Sequence, residues 1–203
     1  MMRVLRQRRG ESSPRKEWSE IVTATQETAG WTKDRPKMPG YGVPEGTDGT
    51  LEMATVAALV AAGKNYWVCT ASEDGKPHAV PVWGAYLDGT LYFGAGPRSS
   101  RNLDSNPRVS IHLESGTEVV ILEGVVARLH NPDAALSKAL DDHLADKYEW
   151  RPSSEGDDPV GEGWRVLAPD RIIAWTSFPA DATRWTRQRP SSTDQPLSSL
   201  VTS

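Results

Sequence analysis

Cysteine is nearly absent from this chain of 203 residues: Cys69 stands alone, which excludes an internal disulfide and any cysteine-rich metal centre. Histidine is scarce as well. His78, His112, His130 and His143 show no HxH or HExxH spacing, and His112 with Glu114 offers only two ligands on one strand face, so no metal site is expected. Positive charge is not in surplus: the net charge of −4 argues against a dedicated nucleic-acid binder. No apolar run is long enough to span a bilayer, and the basic start at Arg3 to Arg9 lacks the apolar core of a signal peptide, so a soluble, cytoplasmic protein is expected. Ser99 and Ser100 lack a neighbouring general base, and Cys69, in an apolar strand, reads as an inert thiol. No conventional catalytic constellation stands out, and neither does a repeat or a heptad.

What the chain does carry is alternation. Residues 66–71 read as a strand, 72–76 as its turn, 78–86 as the returning strand, and Asp88-Gly89 as a second hairpin turn into 90–94. Further strands are expected at 109–113 and 118–129, the latter with a bulge at Glu123-Gly124, and 164–167 with 171–176 read as a closing hairpin. Three helices flank them. Thr50 caps one that ends at Gly63, Leu103 seats a short one, and Asn131-Pro132-Asp133 opens a third with Leu136, Leu140 and Leu144 on its apolar stripe. The pattern predicts a mostly β barrel with flanking helices. Residues 1–50 form an extended N-terminal segment with little regular structure beyond a short helix over 17–27, residues 51–186 the barrel domain, and 187–203 a disordered tail.

The densest chemistry lies between Gly94 and Asn106. Arg98, Ser99, Ser100, Arg101 and Asn102 follow Gly96-Pro97, and free amides at a helix start, hydroxyls and guanidinium groups together suit a phosphate. A plain solvated turn has the same composition. Val80, Pro81, Val82 and Trp83 read either as core strand or as a ligand wall, with Pro81 requiring an edge position. Asp141, Asp142, Asp146 and Glu149 read as the wet face of the third helix. Lys147, Tyr148 and Trp150 end that helix just before a polar loop, 151–163, rich in glycine and proline; they read as a substrate wall or, for Lys147, as a helix cap.

DGKPHAVPVW, LYFGAG, RSSRNL with its sequel NPRVS, ILEGVV and FPADATRW, in that order, resemble the FMN-binding split barrel of the pyridoxamine 5'-phosphate oxidase-like superfamily, most closely its actinobacterial flavin- or deazaflavin-dependent oxidoreductases. The resemblance spans residues 66–185. Where that family commonly has a phosphate-binding lysine this chain has Ser99, which leaves the phosphate to Arg98 and Arg101. The resemblance implies a homodimer with a shared site. Val80, Pro81, Val82, Trp83, Ala95 and Gly96 would bound the cofactor ring, residues 98–102 would hold the phosphate, and Arg184 and Trp185 would reach the partner's site. It implies hydride transfer between coenzyme F-420, the favoured cofactor, or FMN and a small organic substrate. The arginine and histidine of a true pyridoxamine phosphate oxidase motif are not matched, since the corresponding stretch RWTR contains no histidine. A non-catalytic carrier of a flavin or tetrapyrrole would need the same cradle and ring pocket.

Overall fold

The computed structural model describes residues 30–155 and 163–187. The expected helix over 17–27, the middle of the polar loop and the tail from 188 lie outside them. Ten strands form the body: β1 Trp31–Asp34, β2 Tyr66–Ala71, β3 Pro77–Val82, β4 Gly84–Leu87, β5 Thr90–Gly94, β6 Arg108–His112, β7 Val119–Arg128, β8 Trp164–Leu167, β9 Arg171–Trp175 and β10 Thr183–Arg187. Among the described residues three α-helices accompany them: α1 Met53–Ala62, α2 Pro97–Ser105 and α3 Ala134–Tyr148. One path of the sheet runs β1-β10-β9-β7-β6-β2-β3, and β4-β5-β8 join it through β7.

The long strand β7 divides the sheet. Residues 119–123 pair with β9 and residues 126–128 with β8, while its register with β6 runs unbroken from Arg108↔Val125 to His112↔Ile121. Gly124 is therefore a crossing point and not the expected bulge. A Cβ there would lie 2.9 Å from Leu167 Cδ1 and 3.4 Å from the Ala168 oxygen, so only glycine lets the two branches diverge. The same divergence overturns the expected closing hairpin, because β8 pairs with β5 and β7, whereas β9 pairs with β7 and β10.

A second division falls at Trp83. The single strand expected over 78–86 is two, β3 pairing with β2 and β4 with β5. Gly84 makes the switch: a Cβ there would sit 2.7 Å from the Tyr92 oxygen and 3.3 Å from the Tyr66 ring. The hairpin at Asp88-Gly89 forms as expected, both residues taking positive φ, 48° and 76°. β3 ends the path of the sheet, so Pro81 stands on an edge as its missing N–H requires.

Apolar residues alternate inward. Tyr66, Val68, Leu91, Phe93, Ile111, Val120, Leu122, Leu167, Ile172 and Trp185 close the core together with Met53, Val56 and Val60 of α1. Helix α1 begins at Met53 after Glu52, without a side-chain cap; Thr50 Oγ1 donates to the Thr47 carbonyl instead. The cap of α3 is Asp133, which accepts from the Leu136 N–H at 2.7 Å, two residues later than the expected Asn131. β1 also arises where little regular structure was expected. It pairs with β10, and Asp34 forms a two-pronged ion pair with Arg184.

Candidate functional site

Helix α2 sorts the five cradle residues onto two faces. Ser99, Asn102 and Leu103 point inward at i, i+3 and i+4, and the Asn102 side chain donates to Thr70 Oγ1 on β2 at 2.9 Å. Arg98 and Arg101, one turn apart, are exposed, and neither forms an ion pair among the described residues. Ser100 is committed: its hydroxyl donates to the Ala95 carbonyl at 3.0 Å. Gly96 is the N-cap and Pro97 occupies the first helical position, so the Arg98 and Ser99 amides open the helix without a carbonyl one turn back inside it. The first turn holds no acid, and Asp104 pairs with Arg128 and Arg165 near the other end, so charge along α2 reinforces its dipole. Ser99, only 2% exposed, has a hydroxyl with no partner among the described residues.

The sheet register brings other predicted residues to this helix start. Gly84 pairs with Phe93, which carries Trp83 to the level of Gly94, two residues before the N-cap. The Ala95 N–H donates to the Gly163 carbonyl at 2.9 Å, so the end of the polar loop meets the same point. Val80 and Val82 are half-buried and Pro81 exposed along edge strand β3, one strand from Thr70. Trp83 is 47% exposed; its ring stacks on Tyr148 at 4.7 Å and 13° and meets Trp150 at 6.0 Å and 53°.

The end of α3 is more structural than the sequence suggests. Tyr148 Oη accepts from the Gly84 N–H at 3.0 Å and lies 2.8 Å from the Lys64 carbonyl oxygen and 3.0 Å from that of Gly84, which fixes the strand break under Trp83. Asp141 is buried, against the expectation of a wet face. It accepts from the Ser153 N–H and hydroxyl and pairs with Arg151, folding residues 150–153 back onto the helix and setting Trp150 in place. Burial alone would raise its carboxyl, but the Ser153 and Arg151 hydrogen bonds hold it below its usual range.

Lys147 caps a helix other than its own. Its ammonium donates to the Ala61 carbonyl at the end of α1 at 3.0 Å and to Tyr66 Oη at 2.7 Å, over the Tyr66 and Tyr148 rings. Burial brings its pKa down from 10.5 to about 8. The folded state thus releases this proton before the unfolded chain does. The buried charge costs stability below pH 8, and that cost is relieved as the pH rises towards 10.5. Wild-type stability relative to Lys147→Met, followed by urea unfolding, is expected to rise across that window and to be flat below it. A flat difference throughout would show an ordinary amine.

Arg184 and Trp185 do not join the cluster. Arg184 is bound to Asp34, and Trp185, 2% exposed, lies in the core because β10 turns odd-numbered residues inward. Among the described residues no helix is long and apolar enough to cross a membrane, and no three of His, Cys, Asp and Glu come together as metal ligands.

The family model of pyridoxamine 5'-phosphate oxidase matches residues 53–176, from the start of α1 to the end of β9. No curated protein matches the sequence. Among solved structures, a heme binding protein from Mycobacterium smegmatis is 20% identical with a TM-score of 0.50, over 64% of this chain and 55% of its own, so this chain spans little more than half of that protein. The likeness shows a shared fold. A FAD-binding protein from Mesorhizobium loti is 23% identical over 68% of this chain and 96% of its own, with a TM-score of 0.44. A conserved hypothetical protein from Mycobacterium tuberculosis is 20% identical over 76% of this chain and 99% of its own, with a TM-score of 0.49.

Proposed function

This chain belongs to the pyridoxamine 5'-phosphate oxidase family, and from that premise we propose that it binds a flavin-type cofactor and serves hydride transfer to or from a small organic substrate. The observation that carries the reading is the start of α2: two exposed guanidinium groups, two amides at the helix opening and a buried hydroxyl with no partner among the described residues. That donor set, with no acid in the first turn, fits a phosphate monoester. FMN carries a phosphate monoester and the deazaflavin coenzyme F-420 a phosphodiester, each on a ribityl chain attached to a planar ring, and either supplies the electron-pair chemistry when bound.

The chain's own residues bind, orient and shield. Arg98 and Arg101 hold the phosphate, Asn102 locks α2 to β2 through Thr70, and the backbone of residues 80–82 and Ala95-Gly96 bounds the ring. Half-buried Trp67, His112, Ile121 and Trp175 share the outward face of the sheet with Ile173, and they support a second copy of the chain packing there.

One observation favours a carrier as the second reading. The Tyr148 and Ser100 hydroxyls around Trp83 and the N-cap are engaged with backbone groups, and a carrier needs no proton donor. Titration of the full chain with FMN and with F-420, followed by stopped-flow oxidation of the reduced, bound cofactor, tests both. Micromolar binding and oxidation by an organic acceptor faster than free cofactor is the expected result. Tight binding without acceleration would favour the carrier, and no binding of either cofactor would end the proposal.

A further inference from the structure

Helix α3 ends on an amine that belongs to neither the cradle nor the barrel core. Lys147 Nζ lies 3.0 Å from the Ala61 carbonyl oxygen and 2.7 Å from Tyr66 Oη, with the centres of the Tyr66 and Tyr148 rings 4.8 and 5.5 Å away. Among the described residues no carboxylate pairs with it. The Tyr66 hydroxyl donates its own proton to the Val60 carbonyl at 2.8 Å, so towards Lys147 it can only accept. Both hydrogen-bond neighbours of the nitrogen are therefore acceptors, and two N–H groups satisfy them. A neutral amine has two N–H groups and one lone pair, so it keeps both bonds and leaves the lone pair unengaged. Solvent reaches this place, because Lys147 is only half-buried and Ala61, Ala62 and Lys64 at the α1 end are exposed. The surroundings also prefer one sign of charge: the carbonyl end of α1 and two ring faces favour a cation and disfavour an anion. His143, one turn back on α3, is held below its usual range by burial and then by the Lys147 charge, so it adds no competing cation at neutral pH.

We infer that Lys147 is a covalent modification site for small uncharged aldehydes, held as a protonated imine between the end of α1 and the two tyrosine rings. The ammonium gives up one proton, its lone pair adds to the aldehyde carbon, and the carbonyl oxygen leaves as water with that proton and a second one from nitrogen. An ammonium and an aldehyde thus give an iminium and water, with no change of charge. The iminium keeps one N–H for the Ala61 carbonyl or Tyr66 Oη, and its positive charge stays where the ammonium stood. Burial assists the first step: a pKa of about 8 leaves roughly a quarter of the amine neutral at about pH 7.5, against roughly one in a thousand for an ordinary lysine. The site is independent of the cofactor reading.

Butyraldehyde with sodium cyanoborohydride probes the full wild-type chain at about pH 7.5. The reagent delivers hydride to an iminium carbon and leaves a stable secondary amine, which peptide mass spectrometry locates and times. Lys147 is expected to be labelled at least about tenfold faster than the exposed Lys64, Lys76 and Lys138, because its gain in neutral amine exceeds the nucleophilicity lost with its lower basicity. In concentrated guanidinium chloride that excess is expected to vanish, since the fold creates it. Equal or slower labelling of Lys147 in the native chain overturns the site, and so does an excess that survives denaturation, which would place its cause in the local sequence. Glyoxylate, an anionic aldehyde, tests the class of reagent. Its ratio of Lys147 to Lys138 labelling is expected to be at least about fivefold lower than that of butyraldehyde, because its carboxylate meets the carbonyl end of α1. The same ratio with both aldehydes would overturn the preference for an uncharged one.

Discussion

Trp185→Ala is expected to lower the free energy of unfolding by about 3–5 kcal/mol, the range for emptying a large aromatic from a packed core. The indole is 2% exposed and packs in the cluster that joins β10 and β9 to α1, opposite Ile172 and Lys33 in the ladders. Its neighbour supplies the contrast. Arg184 lies on the other face of β10 in a partly exposed ion pair with Asp34, so Arg184→Ala is expected to cost only about 0.5–1 kcal/mol. Urea unfolding monitored by circular dichroism measures both. A Trp185→Ala variant as stable as wild type but unable to bind cofactor would return the ring to the binding site implied by family resemblance.

Particular residues show where the sequence was legible and where it was not. Alternation located the strands, and Asp88-Gly89 and Gly63 marked their turn and helix stop, because those signals are local. Branching of the sheet is not local. Glu123-Gly124 signals an interruption on β7, but whether glycine there means a bulge or a crossing depends on Leu167 and Ala168, more than forty residues away in the chain, pressing on it. The run through Trp83 has strand chemistry on both sides, and only Tyr66 and Tyr92 packed against Gly84 divide it. Asp141 has the charge of a surface residue, and its burial follows from Ser153 and Arg151 folding back across the helix end. β1 was hidden because its partner, β10, is about 150 residues distant. For the candidate site, the sequence collected Arg98, Ser99, Ser100, Arg101 and Asn102 as one group, and the helical period then divided them between solvent and core.

The same division fixes what mutation of the cradle should do. Arg98→Ala and Arg101→Ala are each expected to weaken flavin binding by about 1.5–3 kcal/mol, the range for a hydrogen bond to a charged group. That corresponds to roughly 10- to 150-fold in the dissociation constant. Because both side chains are exposed and make no ion pair among the described residues, neither change should disturb unfolding measurably. The affinity should also weaken with salt, as a phosphate held by two exposed cations requires. Ser99 behaves differently. Its buried hydroxyl has no partner among the described residues, so Ser99→Ala removes a desolvated group that contributes nothing until a phosphate arrives. The expected result is unchanged or slightly raised stability with cofactor affinity lower by about 1 kcal/mol. Calorimetric titration of the three variants with FMN reads all of this at once. Wild-type affinity in both arginine variants would remove the phosphate from α2, and wild-type affinity in Ser99→Ala alone would leave the arginines and the helix amides as its whole cradle.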